Sequence, residues 1–305
     1  MDDSAAEPEL PRAVALAWGV SANPQRGPKR ELSIERIVDA AVEIADEHGL
    51  AGVSMSSVAT ALGFTPMSLY RYVTAKGDLV ALMQEQGIGL PPEELREADG
   101  WRAGLMRWAE AQQEVQRRHP WLLDIPILGT PTTPNNLTWL DAGLEIMRDL
   151  PLDYHEKVSI TLAVMAHNRF RGIVERGYQA GAEAAGASID EYENAGVAIL
   201  DSLVTADQFP DVRAALDAGV FTGEADPFAW GLERLLDGID RYLQVEPGSR
   251  APAVSEHPPD PRVLEDKHVK VAAKERRDAE KLLRDARKRE REAIRHATEH
   301  GPRQK

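Results

Sequence analysis

Cysteine is absent from all 305 residues, which excludes disulfides, thiol nucleophiles and thiolate metal sites and fits a reducing compartment. No stretch approaches the ~18 uninterrupted apolar residues that a spanning helix needs. The acidic, Pro-containing start also lacks the charged-then-apolar pattern of an export signal. The expectation is a cytoplasmic protein with no membrane partner. Positive charge is short as well: 36 Lys and Arg stand against 50 Asp and Glu, a net charge of -14. That balance argues against a chain that coats nucleic acid indiscriminately, because phosphate binding needs clustered cations, so any DNA contact has to be local. Enzyme signatures are missing too, with no Gly-rich phosphate loop, no H-E-x-x-H and no nucleophile elbow. His119 and His155 have no second ligand at i+4. Neither catalytic residues, nor metal ligands, nor a cofactor are expected.

What is present is the make-up of a folded chain, since 43% hydrophobic and 28% charged residues can bury a core. Single cores rarely grow past ~250 residues, so two domains plus tails are expected. Residues 1–30 mix Asp, Glu, Pro, Gly and Ala, end in the basic run Arg26, Lys29 and Arg30, and read as a flexible arm. Residues 31–90 carry helix signals. Ser33 caps a helix with Ile37, Ala40, Ala41, Ile44 and Ala45 on one face and Gly49 as its stop. Ser54 caps a second, short helix burying Val58, Ala59 and Leu62. Gly63 then turns the chain, and Pro66 starts a third helix running to about Tyr72 with Leu69 and Val73 inward. Lys76 opens a fourth through Leu79, Leu82 and Met83. Over residues 91–245 helices are predicted at 100–118, 135–150, 153–183, 188–206 and 226–244, separated by prolines. No alternating strand pattern interrupts them. The predicted fold class is therefore all-α, an N-terminal three-helix helix-turn-helix domain followed by a C-terminal helical bundle. Residues 246–262 hold five prolines and read as a linker, and 263–305 as a charged helical tail.

Residues 53–78 read VSMSSVATALGFTPMSLYRYVTAKGD. A helix that starts at Pro66 after a sharp turn at Gly63 presents Thr65, Pro66, Met67, Ser68, Arg71 and Tyr72 outward, in a form that can lie in a major groove. The ordered string of cap, Leu-Gly turn, Pro-led helix, Leu-Tyr and Lys resembles the tetracycline-repressor (TetR) family of bacterial regulators. The resemblance implies a sequence-specific, ligand-responsive regulator. It implies further that Tyr70 and Lys76 hold phosphates, while Thr65, Pro66, Met67, Ser68, Arg71 and Tyr72 face base edges or nearby backbone. Lys76 also begins a helix, where backbone amides reinforce anion binding. The implied partners are double-stranded, palindromic operator DNA, a second copy of the chain in a homodimer, and a small-molecule effector of unknown identity. One departure concerns Ser56 and Ser57, which stand where the family often places a basic residue on the second helix. The cations Arg26, Lys29 and Arg30 are either a substitute phosphate contact or a solvated linker.

The resemblance continues through RRHPWLLDIP near residue 117 and FAWGLERLLDGIDRYL from Phe228. In the family the last helices of the body pair with their symmetry mates. Here the candidates are the helix holding Val197, Leu200, Leu203 and Val204 and the one holding Leu232, Leu235, Leu236 and Ile239, although such stripes equally describe a core within one chain. Trp108, Trp121, Trp139, Met147, Met165, Phe170 and Trp230 are wall material for an effector pocket or plain core. Trp121, Trp139, Met165 and the polar His167, Asn168 and Arg171 form the candidate effector-binding set. In the tail, Ala272, Ala279, Ala286 and Ala293 recur every seven residues, but Arg276 and Glu290 interrupt the seam, so a solvated single helix is expected. The competing functions are a helical interaction protein or an enzyme, either carrying a vestigial helix-turn-helix.

Overall fold

The computed structural model describes residues 10–20, 32–127, 129–222, 225–246, 249–250, 263 and 265–300. The basic run Arg26, Lys29 and Arg30 and the greater part of the Pro-rich linker lie outside them. No strand occurs among the described residues.

The N-terminal head forms as the caps dictate. Ser33 precedes α2 (Ile34–Gly52), and its hydroxyl accepts from the Arg36 N–H at 3.3 Å, satisfying one of the orphan amides of a helix start. Gly49 leaves helical geometry with φ 69°, and the chain then completes one more turn. Ser54 caps α3 (Met55–Leu62) in a reciprocal box: its hydroxyl accepts from the Ser57 N–H at 2.9 Å, and the Ser57 hydroxyl accepts from the Ser54 N–H at 2.8 Å. Gly63 closes α3 with φ 73°, a left-handed conformation that a side chain would strain. The helix led by Pro66, α4 (Pro66–Leu69), is shorter than predicted. Its last turn tightens as both Tyr72 and Val73 N–H groups donate to the Leu69 carbonyl. After it, α5 (Lys76–Ile88) leads out of the head. Ile37, Ala41, Val53, Val58, Leu69, Val73, Leu79 and Met83 make one fully buried cluster.

Within the stretch expected as a flexible arm, residues 12–17 form a helix, α1 (Arg12–Ala17), packed on α5. Ala13 is buried, Leu16 and Ala17 rest on the head core, and the Arg12 guanidinium donates to the Tyr72 carbonyl at 3.3 Å. The Trp18 indole N–H donates to the Thr132 carbonyl at 2.8 Å. The apolar side chains within the acidic arm supply enough contact to order it.

The body comprises α6 (Gly100–Arg118), a 3-10 turn at Pro120–Asp124, α7 (Pro134–Ile146), the 32-residue α8 (Tyr154–Ala185), α9 (Ile189–Leu203), α10 (Pro210–Asp217) and α11 (Pro227–Leu243). Five of these match predicted helices; α10 was not anticipated. The body core gathers Leu105, Trp108, Met147, Val164, Leu232, Leu236 and Ile239. Three residues of the expected α11 dimer stripe, Leu232, Leu236 and Ile239, are thus core within the chain. The reason is geometric, because α11 turns that stripe onto the core while Arg102 of α6 grips its outer side through Glu233 and Asp237. By contrast α9 buries none of its own side chains, and Leu200 and Leu203 stand exposed.

Residues 251–305 form a separate unit. Its described part is dominated by α12 (Lys267–His300), a helix of 34 residues, whose start is capped by the Asp266 carboxylate accepting from the His268 N–H at 2.8 Å.

Candidate nucleic-acid interface and its link to the body

Around α4 the side chains divide sharply. Leu69, Tyr72 and Val73 share the inward face that i, i+3 and i+4 spacing creates. Met67 is 74% exposed and Tyr70 42% exposed, Thr65, Arg71 and Lys76 are exposed, and Pro66 and Ser68 are half-buried. Seven of the eight residues expected at DNA are therefore at least partly accessible. Tyr72 is the exception: at 5% exposed its side chain packs into the head core, so it is not on the outer face. The Thr65 and Ser68 hydroxyls lie 3.0 Å apart, which presents a paired donor and acceptor at the start of α4. Lys76 occupies the first turn of α5, where free backbone amides favour an anion, and Thr74 donates to the neighbouring Asp78 carboxylate at 2.6 Å. Ser57, one of the two serines that stand in place of a basic residue, is spent on the α3 cap, where it also donates to the Gly52 carbonyl at 2.9 Å.

The head is joined to the body by a small set of polar and aromatic contacts. Asp46 of α2 accepts from the Trp121 indole N–H at 2.7 Å and pairs with His119 Nδ1 at 2.8 Å. Trp121 is buried with the head residues, not in an effector cavity, and a Cβ on Gly87 of α5 would stand 3.0 Å from its ring. Trp139 donates to the Gly89 carbonyl at 3.0 Å, just past the end of α5. Asn135 closes the same junction, donating its backbone N–H to the Glu85 carboxylate at 2.7 Å and its amide to the Glu85 carbonyl at 2.8 Å. From the body side, Arg169 of α8 donates to the Leu123 and Ile125 carbonyls at 2.7 and 2.8 Å, and Arg176 donates to the Pro120 carbonyl at 3.0 Å. A physical line thus runs from α8 through the 120–125 turn and Trp121 to α2 and α5.

The other polar candidate effector residues split between two neighbours, Asn168 turning to α6 and His167 and Arg171 to the start of α11. Asn168 is fully buried and satisfied, donating to the Ala109 carbonyl at 3.0 Å and accepting from Gln113 at 3.2 Å. His167 meets the Phe228 carbonyl at 2.8 Å, and Arg171 pairs with Glu175 at 2.6 Å and Asp226 at 3.0 Å. Met165 stands exposed. An apolar groove of about 480 Å³ lies elsewhere, lined by Leu10, Val14, Trp18, Pro131 and Leu137 among others, and by none of the six. Sequence reasoning missed Asp46, His119 and Arg12; an acidic residue on a helix face seldom announces an indole as its partner.

Comparison with known proteins decides the family. A model described as "Bacterial regulatory proteins, tetR family" matches residues 37–83, and one described as "Tetracyclin repressor-like, C-terminal domain" matches residues 92–243. Over 250 residues the chain is 35% identical to the HTH-type transcriptional repressor DrrR1 of Streptomyces coeruleorubidus, covering 80% of this chain and 90% of that protein. The chain belongs to the tetracycline-repressor family. As a member it is a DNA-binding transcriptional regulator with an all-α fold. Two solved structures share the fold of this tetracycline-repressor-type regulator. Apo ActR from Streptomyces coelicolor aligns with a TM-score of 0.58 at 19% identity, over 71% of this chain and 98% of its own. A possible TetR family regulator from Streptomyces coelicolor A3(2) gives 0.55 at 24% identity, over 69% of this chain and 100% of its own.

Proposed function

We propose that this regulator is a cytoplasmic, non-enzymatic repressor that grips a palindromic operator as a homodimer and releases it when a small, partly apolar molecule enters the body. The observation that carries the DNA reading is the division of side chains around α4: Met67, Tyr70, Arg71 and Lys76 stand out from a head whose aliphatic residues are buried. In this reading Tyr70 and Lys76 hold phosphate, while Thr65, Pro66, Met67, Ser68 and Arg71 reach base edges. DrrR1 is named a repressor, and ActR has been solved with actinorhodin and with (S)-DNPA, which supports the ligand-responsive reading.

The second copy covers exposed apolar side chains of α8 and α11. Leu162, Phe170 and Ile173 recur along α8, and Trp230 stands out from α11, an apolar set of the kind that isologous pairing covers. Among the candidate effector residues, Trp121 and Trp139 are the two whose bonds an entering molecule would rearrange with consequence for the head, because Trp121 donates to Asp46 of α2 and Trp139 holds the end of α5. Selection of bound duplex from a random pool tests the whole reading. The expected product is an inverted repeat with half-sites about one helical turn, or a multiple, apart; a pool with no enriched sequence overturns it.

A further inference from the structure

In α12 the cations are not scattered. Lys267, Lys270, Lys274, Arg277, Lys281, Arg284, Lys288, Arg291 and Arg295 follow one another at alternating steps of three and four residues, the spacing that keeps a row on one helix face. Every position of that row is basic. At 1.5 Å per residue it runs for about 42 Å, a little more than one turn of B-DNA. The described members Lys267, Lys270, Lys274, Arg277 and Lys281 are exposed. Acidic residues keep to other registers, notably Asp278, Asp285, Glu292 and Glu299.

A helix that needs only to stay soluble interleaves its charges, because opposite signs three or four apart stabilise it and like signs destabilise it. Most cations of the row also have a carboxylate three or four residues away, among them Asp278, Asp285, Glu292 and Glu299, but Lys267 and Arg291 have only like-charged neighbours at that spacing, and the row as a whole stays in cationic excess. Residues 263–305 carry fourteen Lys and Arg against nine Asp and Glu, on a chain whose total is -14. Phosphate binding demands such clustered cations, and the nine of the row fall between residues 267 and 295.

We propose that the basic row of α12 is a second DNA-binding surface, which holds duplex phosphates without reading sequence and adds affinity through DNA flanking the operator. The partner follows from charge complementarity and length, and from the DNA-regulator reading only insofar as the flank adjoins an operator. Apolar content on α12 is too thin for the row to border a coiled-coil seam of its own, since Arg276 and Glu290 interrupt the register of Val269 and Leu283.

The test compares the full chain with K274Q/R277Q/K281Q/R284Q, in which glutamine preserves helix propensity. Each protein is titrated with a random duplex of about 40 base pairs, long enough for many phosphate contacts, and with the operator with and without flanks. On the random and flanked duplexes the slope of log affinity against log salt should shrink by about three to four in the variant. Between 50 and 200 mM salt the unmodified chain should then lose about 100-fold more affinity than the variant. On the bare operator the two should agree. The charge-keeping K274R/K281R must bind as the unmodified chain does, and circular dichroism must show equal helix in all three. Equal slopes on the random duplex overturn the proposal. So does a variant that binds the bare operator more tightly, which would place the row on the acidic body, or one whose oligomeric state changes with no change in slope. If no operator exists, the regulator reading falls, and the random duplex still decides the row.

Discussion

Tyr70 and Tyr72 are two positions apart and face opposite ways, because the tightened turn after Leu69 carries Tyr72 into the head core while Tyr70 remains outside. Replacing Tyr70 by Phe should weaken operator binding without lowering the denaturation midpoint, whereas Tyr72→Ala should cost the head about 3–5 kcal/mol, as large-to-small changes at buried aromatics do. Lys76→Ala should lower the slope of log affinity against log salt by about 1, the loss of one phosphate contact, and an unchanged slope would remove Lys76 from the interface. Met67 substitutions should instead change which operator is selected. A different residue-scale effect sits at Asp226, the cap of α11, whose carboxylate accepts from the Phe228 and Ala229 N–H groups at 2.9 Å each. Burial opposes its charge, but the Ala229 amide, the Arg171 guanidinium and the Phe228 amide outweigh it and hold its pKa below the ordinary range. A depressed carboxyl stabilises the fold above its unfolded pKa of about 4, and that contribution disappears as pH falls through the lower, folded value. Asp226→Ala should therefore cost about 0.5–2 kcal/mol near neutral pH and little in acid, read from urea midpoints at both.

At the scale of elements, much of the head and body was legible because their signals are local. Ser33, Ser54 and Gly63 act within one turn of themselves, and Pro134, Pro210 and Pro227 start α7, α10 and α11 at the position where a missing N–H costs nothing. Long-range matters were not legible. Leu232, Leu236 and Ile239 lie in the body core, on a helix that packs on α8 and is tied to α6 by Arg102, more than a hundred residues away, and helical periodicity alone is the same for burial in a core or against a partner. Trp121 looked like pocket wall for a similar reason, since the carboxylate that fixes it comes from α2. The junction it makes can be tested element against element. Asp46→Ala leaves a fully buried indole N–H without its acceptor and should cost about 1–3 kcal/mol, whereas Asp46→Asn keeps an amide oxygen for it and should be mild. Equal destabilisation by the two would show that the Asp46 charge, not its acceptance from Trp121, holds the head.

Over the whole molecule, the proposed function requires two heads at a fixed spacing, so in that reading the dimer surface and the head–body junction have to act together. Charged substitutions at Phe170 and Ile173 should give a monomer with a folded head and weak operator binding, by sedimentation and titration; an intact dimer would move the interface, with the exposed Leu200 and Leu203 of α9 next in line. A ligand can loosen the operator only by its differential affinity for the two dimer geometries, and typical coupling of ~1–3 kcal/mol weakens DNA binding about 5- to 150-fold. Linkage then makes a demand on the opposite measurement: saturating operator must weaken ligand binding by the same factor. The structure supplies the residue on which to try it. Trp139 belongs to the body core and donates to Gly89 at the end of α5, so Trp139→Phe keeps most of the packing and removes the bond across the junction. The expected variant binds operator as tightly as before in the absence of ligand and still binds ligand, but the two affinities no longer change each other. A variant in which ligand and operator remain coupled by the original factor would exclude Trp139 from the route and leave the 120–125 turn, with Arg169 and Arg176 on its carbonyls, as the path between body and head.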